Sequence, residues 1–170
     1  LNRLLDGLTT FYKPKAKELN LELNCVKALK NFDSLIKIDQ TKLSQVLNNL
    51  ISNAFKFTEE GSIEFGYHLI GENLQFYVKD TGTGIDENIQ DKIFDRFIQA
   101  NTDLSKKLQG TGLGLAISKK FVELFKGEIW LESNKNGTTV YFTIPYVKAK
   151  ESQITSVIVE HKKEKKLNNQ

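Results

Sequence analysis

Asp80-Thr81-Gly82-Thr83-Gly84 is the first of three segments whose residue types and spacing suit chemistry, and it ends the alternating run Leu74-Gln75-Phe76-Tyr77-Val78-Lys79. Side chains of a strand alternate between faces, so Leu74, Phe76 and Val78 share one face and Asp80 continues it. A carboxylate at the end of a buried row needs donors to offset its desolvation. The glycines behind it allow a tight turn and a close approach by a ligand. A purine amino group is one donor that fits; a structural aspartate in a tight turn fits the same pattern.

The second segment is Gly110-Thr111-Gly112-Leu113-Gly114-Leu115-Ala116-Ile117-Ser118, a glycine cluster opening into an apolar run with helical character. Free backbone N–H groups at a helix N-terminus attract phosphate. A flexible loop with a cap explains the cluster equally well when it is taken alone. It does not follow a strand, as a dinucleotide fingerprint would, and it lacks the Gly-Lys-Ser/Thr ending of a P-loop.

The third segment is residues 41–58. Leu43, Val46, Leu47, Leu50 and Ala54 recur at helical spacing as one apolar stripe, with Asp39 or Thr41 as the cap. At about 100° per residue, Asn49, Asn53 and Lys56 fall together beside that stripe, whereas Asn48 falls on the far side, as a solvent residue would. Carboxamide oxygens suit a hard divalent cation and Lys suits phosphate. A polar boundary flank has the same appearance.

The order of the segments is what is specific. Asn-x-x-x-Asn-Ala-x-Lys-Phe-Thr, Asp-x-Gly-x-Gly, Ile93-Phe94-Asp95-Arg96-Phe97 and Gly-Thr-Gly-Leu-Gly-Leu-Ala-Ile-Ser follow one another between Asp39 and Pro145. This combination closely resembles the catalytic, ATP-binding domain of sensor histidine kinases. That domain belongs to the superfamily that also holds gyrase, the heat-shock 90 chaperones and the mismatch-repair protein MutL. The Phe-Asp-Arg-Phe segment and the Ala-Ile-Ser ending point to the kinases within it.

The resemblance implies roles for individual residues. Asp80 accepts from the adenine amino group, Gly82 and Gly84 form the pocket wall, and Ile85 lies against the base. Asn49 and Asn53 hold Mg²⁺, Lys56 reaches a phosphate, and Phe57 packs near the adenine. Arg96 approaches the terminal phosphate, so Asn49, Asn53, Lys56 and Arg96 form the catalytic set. Gly110, Thr111, Gly112, Leu113 and Gly114 offer backbone contacts, and Thr138 completes the nucleotide-binding set. Residues 100–110 form a lid, to which Lys107 adds charge, although a solvated loop lysine answers the same description. Gln109-Gly110 stands where the family often has two glycines, and Phe57 where it often has Tyr. Neither change removes a group that ATP binding needs.

The elements that must position these residues are also legible. The resemblance and the pattern together give an α/β (α+β) two-layer sandwich, a mixed sheet of about five strands on three helices, the ATP-binding fold of the superfamily. Residues 21–26 read as the first strand and 35–38 as a short second one. Residues 62–70 and 74–79 form a hairpin turning at Gly71-Glu72-Asn73. Residues 128–132 and 138–145 form another around Asn134-Lys135-Asn136-Gly137. Residues 87–92 make a short helix, and 113–125 a long one ended by Lys126-Gly127. Residues 154–159 are a weaker strand candidate.

Residues 1–17 carry Leu1, Leu4, Leu5, Leu8 and Phe11 at helical spacing, and the resemblance makes them the end of a dimerisation-domain helix. Residues 18–147 are then the catalytic domain and 148–170 a polar linker or tail. The tail's Lys162-Lys163-Glu164-Lys165-Lys166 reads as a solvated end. A net charge of +3 argues against nucleic acid. Lone Cys25 has no disulfide partner, and no run is apolar enough to span a membrane.

The implied function is transfer of the terminal phosphate of Mg-ATP to a histidine on a dimerisation domain, and onward to a response-regulator receiver domain. The setting is a dimeric, cytoplasmic kinase part without membrane contact of its own. His68 and His161 are not followed by an acidic residue, as the family's acceptor usually is. Two other readings compete: an ATP-hydrolysing conformational switch of the gyrase and chaperone type, and a module that only binds nucleotide. The hydrolysing branch has Glu where this chain has Asn49, and a carboxamide is no general base at neutral pH.

Overall fold

The computed structural model describes residues 1–97 and 112–149. The expectations for the lid at 100–110, Lys107, Gly110 and Thr111, the strand at 154–159 and the basic tail therefore lie outside the described residues. Among the described residues the elements run α1 (Asn2–Glu18), β1 (Glu22–Lys27), α2 (Gln40–Phe57), β2 (Ser62–Ile70), β3 (Asn73–Asp80), α3 (Glu87–Gln90), α4 (Gly114–Leu124), β4 (Ile129–Asn134) and β5 (Gly137–Pro145). The strands form one sheet in the order β1-β2-β3-β5-β4. β1 and β2 are parallel and joined through α2, and the other three pairings are antiparallel. The sheet is therefore mixed and holds one crossover unit instead of a doubly wound repeat.

The two hairpins form where turn residues interrupt alternation. Ile70 pairs with Asn73, so the first turn is Gly71-Glu72, with Gly71 at φ 58°. Asn134 pairs with Gly137 in the second. Alternation puts Leu74, Phe76 and Val78 on the buried face as expected. Phe76 pairs with Phe142, and their rings stack 4.7 Å apart. Ile63, Phe65 and Tyr67 of β2 extend this face, and Leu47, Leu50 and Ile51 of α2 pack into the same core. Burying each such side chain contributes about 1.5–3 kcal/mol. Among the described residues the segment expected as a second strand, 35–38, makes only an isolated bridge, Ile36 to Lys148. Its backbone pairs with the chain leaving β5, Lys37 N–H to Val147 O and Ala149 N–H to Leu35 O. With a single bridging partner it does not extend the sheet.

Helix α2 begins at Asp39, whose carboxylate accepts the Lys42 N–H at 3.0 Å, a cap worth about 1 kcal/mol. Helices α1 and α4 both end without glycine in the left-handed position. Asn20 (φ 54°) and Lys126 (φ 62°) occupy it. The bonds Leu21 N–H to Ala16 O and Gly127 N–H to Val122 O close each end. Gly127 serves packing instead: a Cβ there would lie 1.7 Å from the Thr143 carbonyl oxygen.

Helix α1 departs from the expected stripe. Its buried residues are Asn2, Leu5, Leu8, Tyr12 and Ala16, and it continues through Pro14. Phe11 is 73% exposed. The face is turned because Tyr12 stacks on Phe55 of α2 at 5.3 Å. The same contact overturns the expectation for Asn48. It accepts the Tyr12 hydroxyl at 3.1 Å and donates to Ser44 O at 2.8 Å, since α1 lies across that side of α2.

A buried polar junction fixes the start of α1. Asn2 donates to Leu29 O and Asn31 Oδ1, both at 3.0 Å, and accepts the hydroxyl of fully buried Tyr67 at 2.6 Å. Asn2→Ala strands that hydroxyl and is expected to cost about 1–3 kcal/mol in urea unfolding. Adding Tyr67→Phe should recover part of the loss, with coupling visible in the double-mutant cycle. A cost under about 0.5 kcal/mol for Asn2→Ala would show that α1 docks by its apolar face alone.

Candidate functional site

Asp80 ends β3 opposite Thr138 of β5. Its Oδ1 accepts the Gly82 N–H at 2.9 Å and the Thr138 N–H at 3.3 Å. Among the described residues, Oδ2 receives no hydrogen bond. Burial raises the pKa of this carboxyl, and the two backbone donors offset part of the rise. The carboxylate is thus half satisfied by the fold, with one oxygen left for an external donor.

The loop after Asp80 threads a narrow gap between α2 and the second hairpin. Thr83 N–H donates to Phe57 O at 3.3 Å. A Cβ on Gly82 would meet that same oxygen at 2.2 Å, and one on Gly84 (φ 73°) would meet Asn134 O at 1.9 Å. Both glycines are therefore demanded by close approach, and Gly84 by its backbone as well. Ile85, half-buried, donates its N–H to Ser133 Oγ at 2.8 Å.

The polar flank of α2 faces the start of α4. Asn49 Nδ2 donates to Gly114 O at 3.2 Å and to Ser118 Oγ at 3.3 Å. This fixes the carboxamide and leaves its Oδ1 without a hydrogen bond among the described residues. Asn53, one turn on, is half-buried. Lys56 makes no ion pair among the described residues, and its Nζ lies 5.2 Å from the centroid of the Phe57 ring. The first-turn amides of α4 lack intrahelical partners, as at any helix start, and among the described residues no side chain caps them. Gly112 turns into it at φ 66°, and its carbonyl accepts the Phe97 N–H at 3.2 Å, so the Phe-Asp-Arg-Phe segment and the second glycine segment touch. Arg96, adjacent to that contact, is exposed.

Two anchors were not singled out from sequence. Ser118 is fully buried and receives Asn49; its spacing of four from Gly114 was the available signal, since the two are neighbours on a helix. Gln90, whose Nε2 donates to Ile85 O at 2.8 Å and Ser133 O at 3.2 Å, carried no such signal, because it meets Ser133 only through the tertiary fold.

Comparison with known proteins agrees with this architecture. Residues 38–148 match the family described as histidine kinase-, DNA gyrase B- and HSP90-like ATPases. The sensor histidine kinase WalK of Bacillus subtilis (strain 168) is 42% identical over 139 residues, 79% of this chain and 22% of WalK. The chain thus spans about a fifth of the length of the curated relatives it matches. The nucleotide-free catalytic domain of the histidine kinase ThkA is 31% identical with a TM-score of 0.74, covering 86% of this chain and 92% of that one. ThkA has also been solved with the response regulator protein TrrA, where the TM-score is 0.70 at 28% identity, over 86% of this chain and 40% of that one. Full-length ShkA in complex with AMPPNP gives a TM-score of 0.75 at 29% identity, over 86% of this chain and 30% of ShkA. The chain belongs to the histidine kinase-, DNA gyrase B- and HSP90-like ATPase family, as a catalytic, ATP-binding domain of the sensor histidine kinase kind.

Proposed function

We propose that this domain binds Mg-ATP with its adenine on Asp80 and presents the terminal phosphate to a histidine of the dimerisation domain of the same kinase. The observation that supports this most is the divided Asp80 carboxylate. One oxygen is held by Gly82 and Thr138, and the other has no partner among the described residues. An amino group on a planar base supplies the missing donor. Gly82, Gly84 and Ile85 wall the base, Phe57 packs beside it, and the amides of Gly112, Leu113 and Gly114 meet the phosphates. By the resemblance alone, Gly110, Thr111 and Lys107, which lie outside the described residues, also belong to the nucleotide-binding set.

Mg²⁺ suits the donors present. Asn49 offers a fixed carboxamide oxygen and Asn53 a second one a turn away. Among the described residues no cluster of three or more His, Cys, Asp or Glu competes as a metal site. Such a sparse protein set is the usual one where phosphates complete the shell. When bound, the ion neutralises phosphate charge. Lys56 and Arg96 add positive charge, and the acceptor histidine supplies the nucleophile. Phosphoryl transfer of this kind needs positioning and charge compensation more than covalent help from the protein.

We further assign α1 as the terminal part of a dimerisation-domain helix and residues 148–170 as a linker or tail. The phosphate passes on to a receiver domain, in keeping with the ThkA–TrrA complex. The hydrolytic-switch reading gains nothing from Asn49, whose Nδ2 holds α4 and whose neutral carboxamide is no general base.

Isothermal titration with Mg-ADP should give saturable one-to-one binding. Asn53→Ala should weaken it much more in Mg²⁺ than in EDTA, by about tenfold against about twofold for a lost charge-assisted contact. Equal losses in the two buffers would make Asn53 a structural residue.

A further inference from the structure

Ile85, set against the base in the proposed reading, has both its backbone polar groups held by side chains from elsewhere in the fold. Its N–H donates to Ser133 Oγ at 2.8 Å, and its carbonyl accepts Gln90 Nε2 at 2.8 Å. The two clamping residues are themselves joined, since Gln90 Nε2 also donates to Ser133 O at 3.2 Å. Ser133 Oγ lies 2.8 Å from Thr138 Oγ1, and the Thr138 N–H reaches Asp80 Oδ1. One continuous polar chain therefore runs from the carboxylate to the wall residue: Asp80, Thr138, Ser133, Ile85, Gln90.

The intervening segment contains Gly82 and Gly84, the residues with most conformational freedom to lose. Left to itself it would sample many positions relative to Asp80. We infer that Ser133 and Gln90 are positioning residues that fix the distance between Asp80 and Ile85 and thereby set selectivity for the nucleobase. Asp80 distinguishes an amino group from a carbonyl only if the base edge is held in register with its free oxygen. Adenine offers a donor there, and guanine offers an acceptor, which a carboxylate repels. Pre-ordering the wall lowers the entropic cost of binding the base that matches. None of the clamp's hydrogen bonds among the described residues involves Lys56, Arg96 or the α4 amides, so it discriminates between bases without sensing how many phosphates follow. The inference rests on the assignment of Asp80 to the adenine amino group.

The test uses the full chain and competition binding of ADP, ATP and GDP against a fluorescent ADP, with thermal unfolding of each variant without nucleotide. Gln90→Glu keeps the shape and loses the donor; Ser133→Ala removes the acceptor of the Ile85 N–H. Each is expected to weaken ADP about tenfold, the scale of a buried backbone group losing its partner. GDP should change less than twofold, so that the ADP-to-GDP preference falls while the ATP-to-ADP ratio holds. A residue that merely stabilised the fold would lower the melting temperature and leave the base preference intact. Wild-type ADP affinity and base preference in both folded variants would overturn the clamp. Should Ser133→Ala not fold, Gln90→Glu decides alone. Equal binding of ADP and GDP by the unsubstituted chain would instead overturn the Asp80 assignment, and this inference with it.

Discussion

Asp80→Asn is expected to abolish measurable ADP binding while leaving the domain folded and at least as stable as before. The carboxylate is partly desolvated and its pKa is raised chiefly by burial. An asparagine keeps an oxygen for the Gly82 and Thr138 N–H groups, so the internal bonds survive. What it loses is the charge facing the external donor, and its own NH2 would oppose the adenine amino group. Losing one charge-assisted hydrogen bond costs about 1.5–3 kcal/mol, roughly ten- to hundredfold in affinity, and the opposed amino groups add to that. Linkage gives the stability sign. A group that holds its proton more tightly when folded makes the folded state pay for ionisation at neutral pH. That cost is relieved as pH falls through the raised folded pKa and is gone below the unfolded value. Binding runs the other way, weakening as pH falls below the raised folded pKa and the carboxylate is protonated. A structural turn aspartate would behave oppositely: Asp80→Asn would lower the melting temperature and leave ADP titration unchanged.

The second large effect is expected at Arg96. Arg96→Ala should slow phosphate transfer to a dimerisation-domain histidine by about 10²-fold or more, the usual scale for removing one group that stabilises developing charge. ADP affinity should stay within about twofold, because the proposed contact is to the terminal phosphate that ADP lacks. Arg96 is exposed and makes no ion pair among the described residues, so its loss should cost the fold almost nothing. Equal losses of transfer and ADP binding would mean that Arg96 acts on the whole nucleotide pocket.

Much of this was legible because short-range rules carried it. Alternation along β3 put Asp80 at the end of a buried row, and helical spacing put Asn49, Asn53 and Lys56 on one flank. Both hairpins followed from glycine and asparagine at the turns. What was missed depends on partners distant in sequence. Tyr12, not Phe11, faces the core because Phe55 of α2 receives its ring. Asn48 is engaged because α1 crosses it. Residues 35–38 have strand-like composition, yet among the described residues their bridge partner is the chain leaving β5 and no strand of the sheet. Lys126 takes the left-handed cap so that Gly127 can pass the Thr143 carbonyl. Ser133 and Gln90 are ordinary polar residues until the fold brings them to Ile85, and no local pattern marks them.

The measurement that bears most directly on the function is incubation of the purified chain with γ-labelled ATP and Mg²⁺, with and without a dimerisation-domain fragment carrying its histidine. Alone, the chain should take up negligible label and release little inorganic phosphate. With the fragment, label should appear on that histidine as an acid-labile, base-stable phosphoramidate. The yield should be low, because separate pieces lack the effective concentration that a tether supplies. Fast phosphate release by the chain alone, with no label on the histidine, would contradict the kinase assignment and identify an ATP-hydrolysing switch.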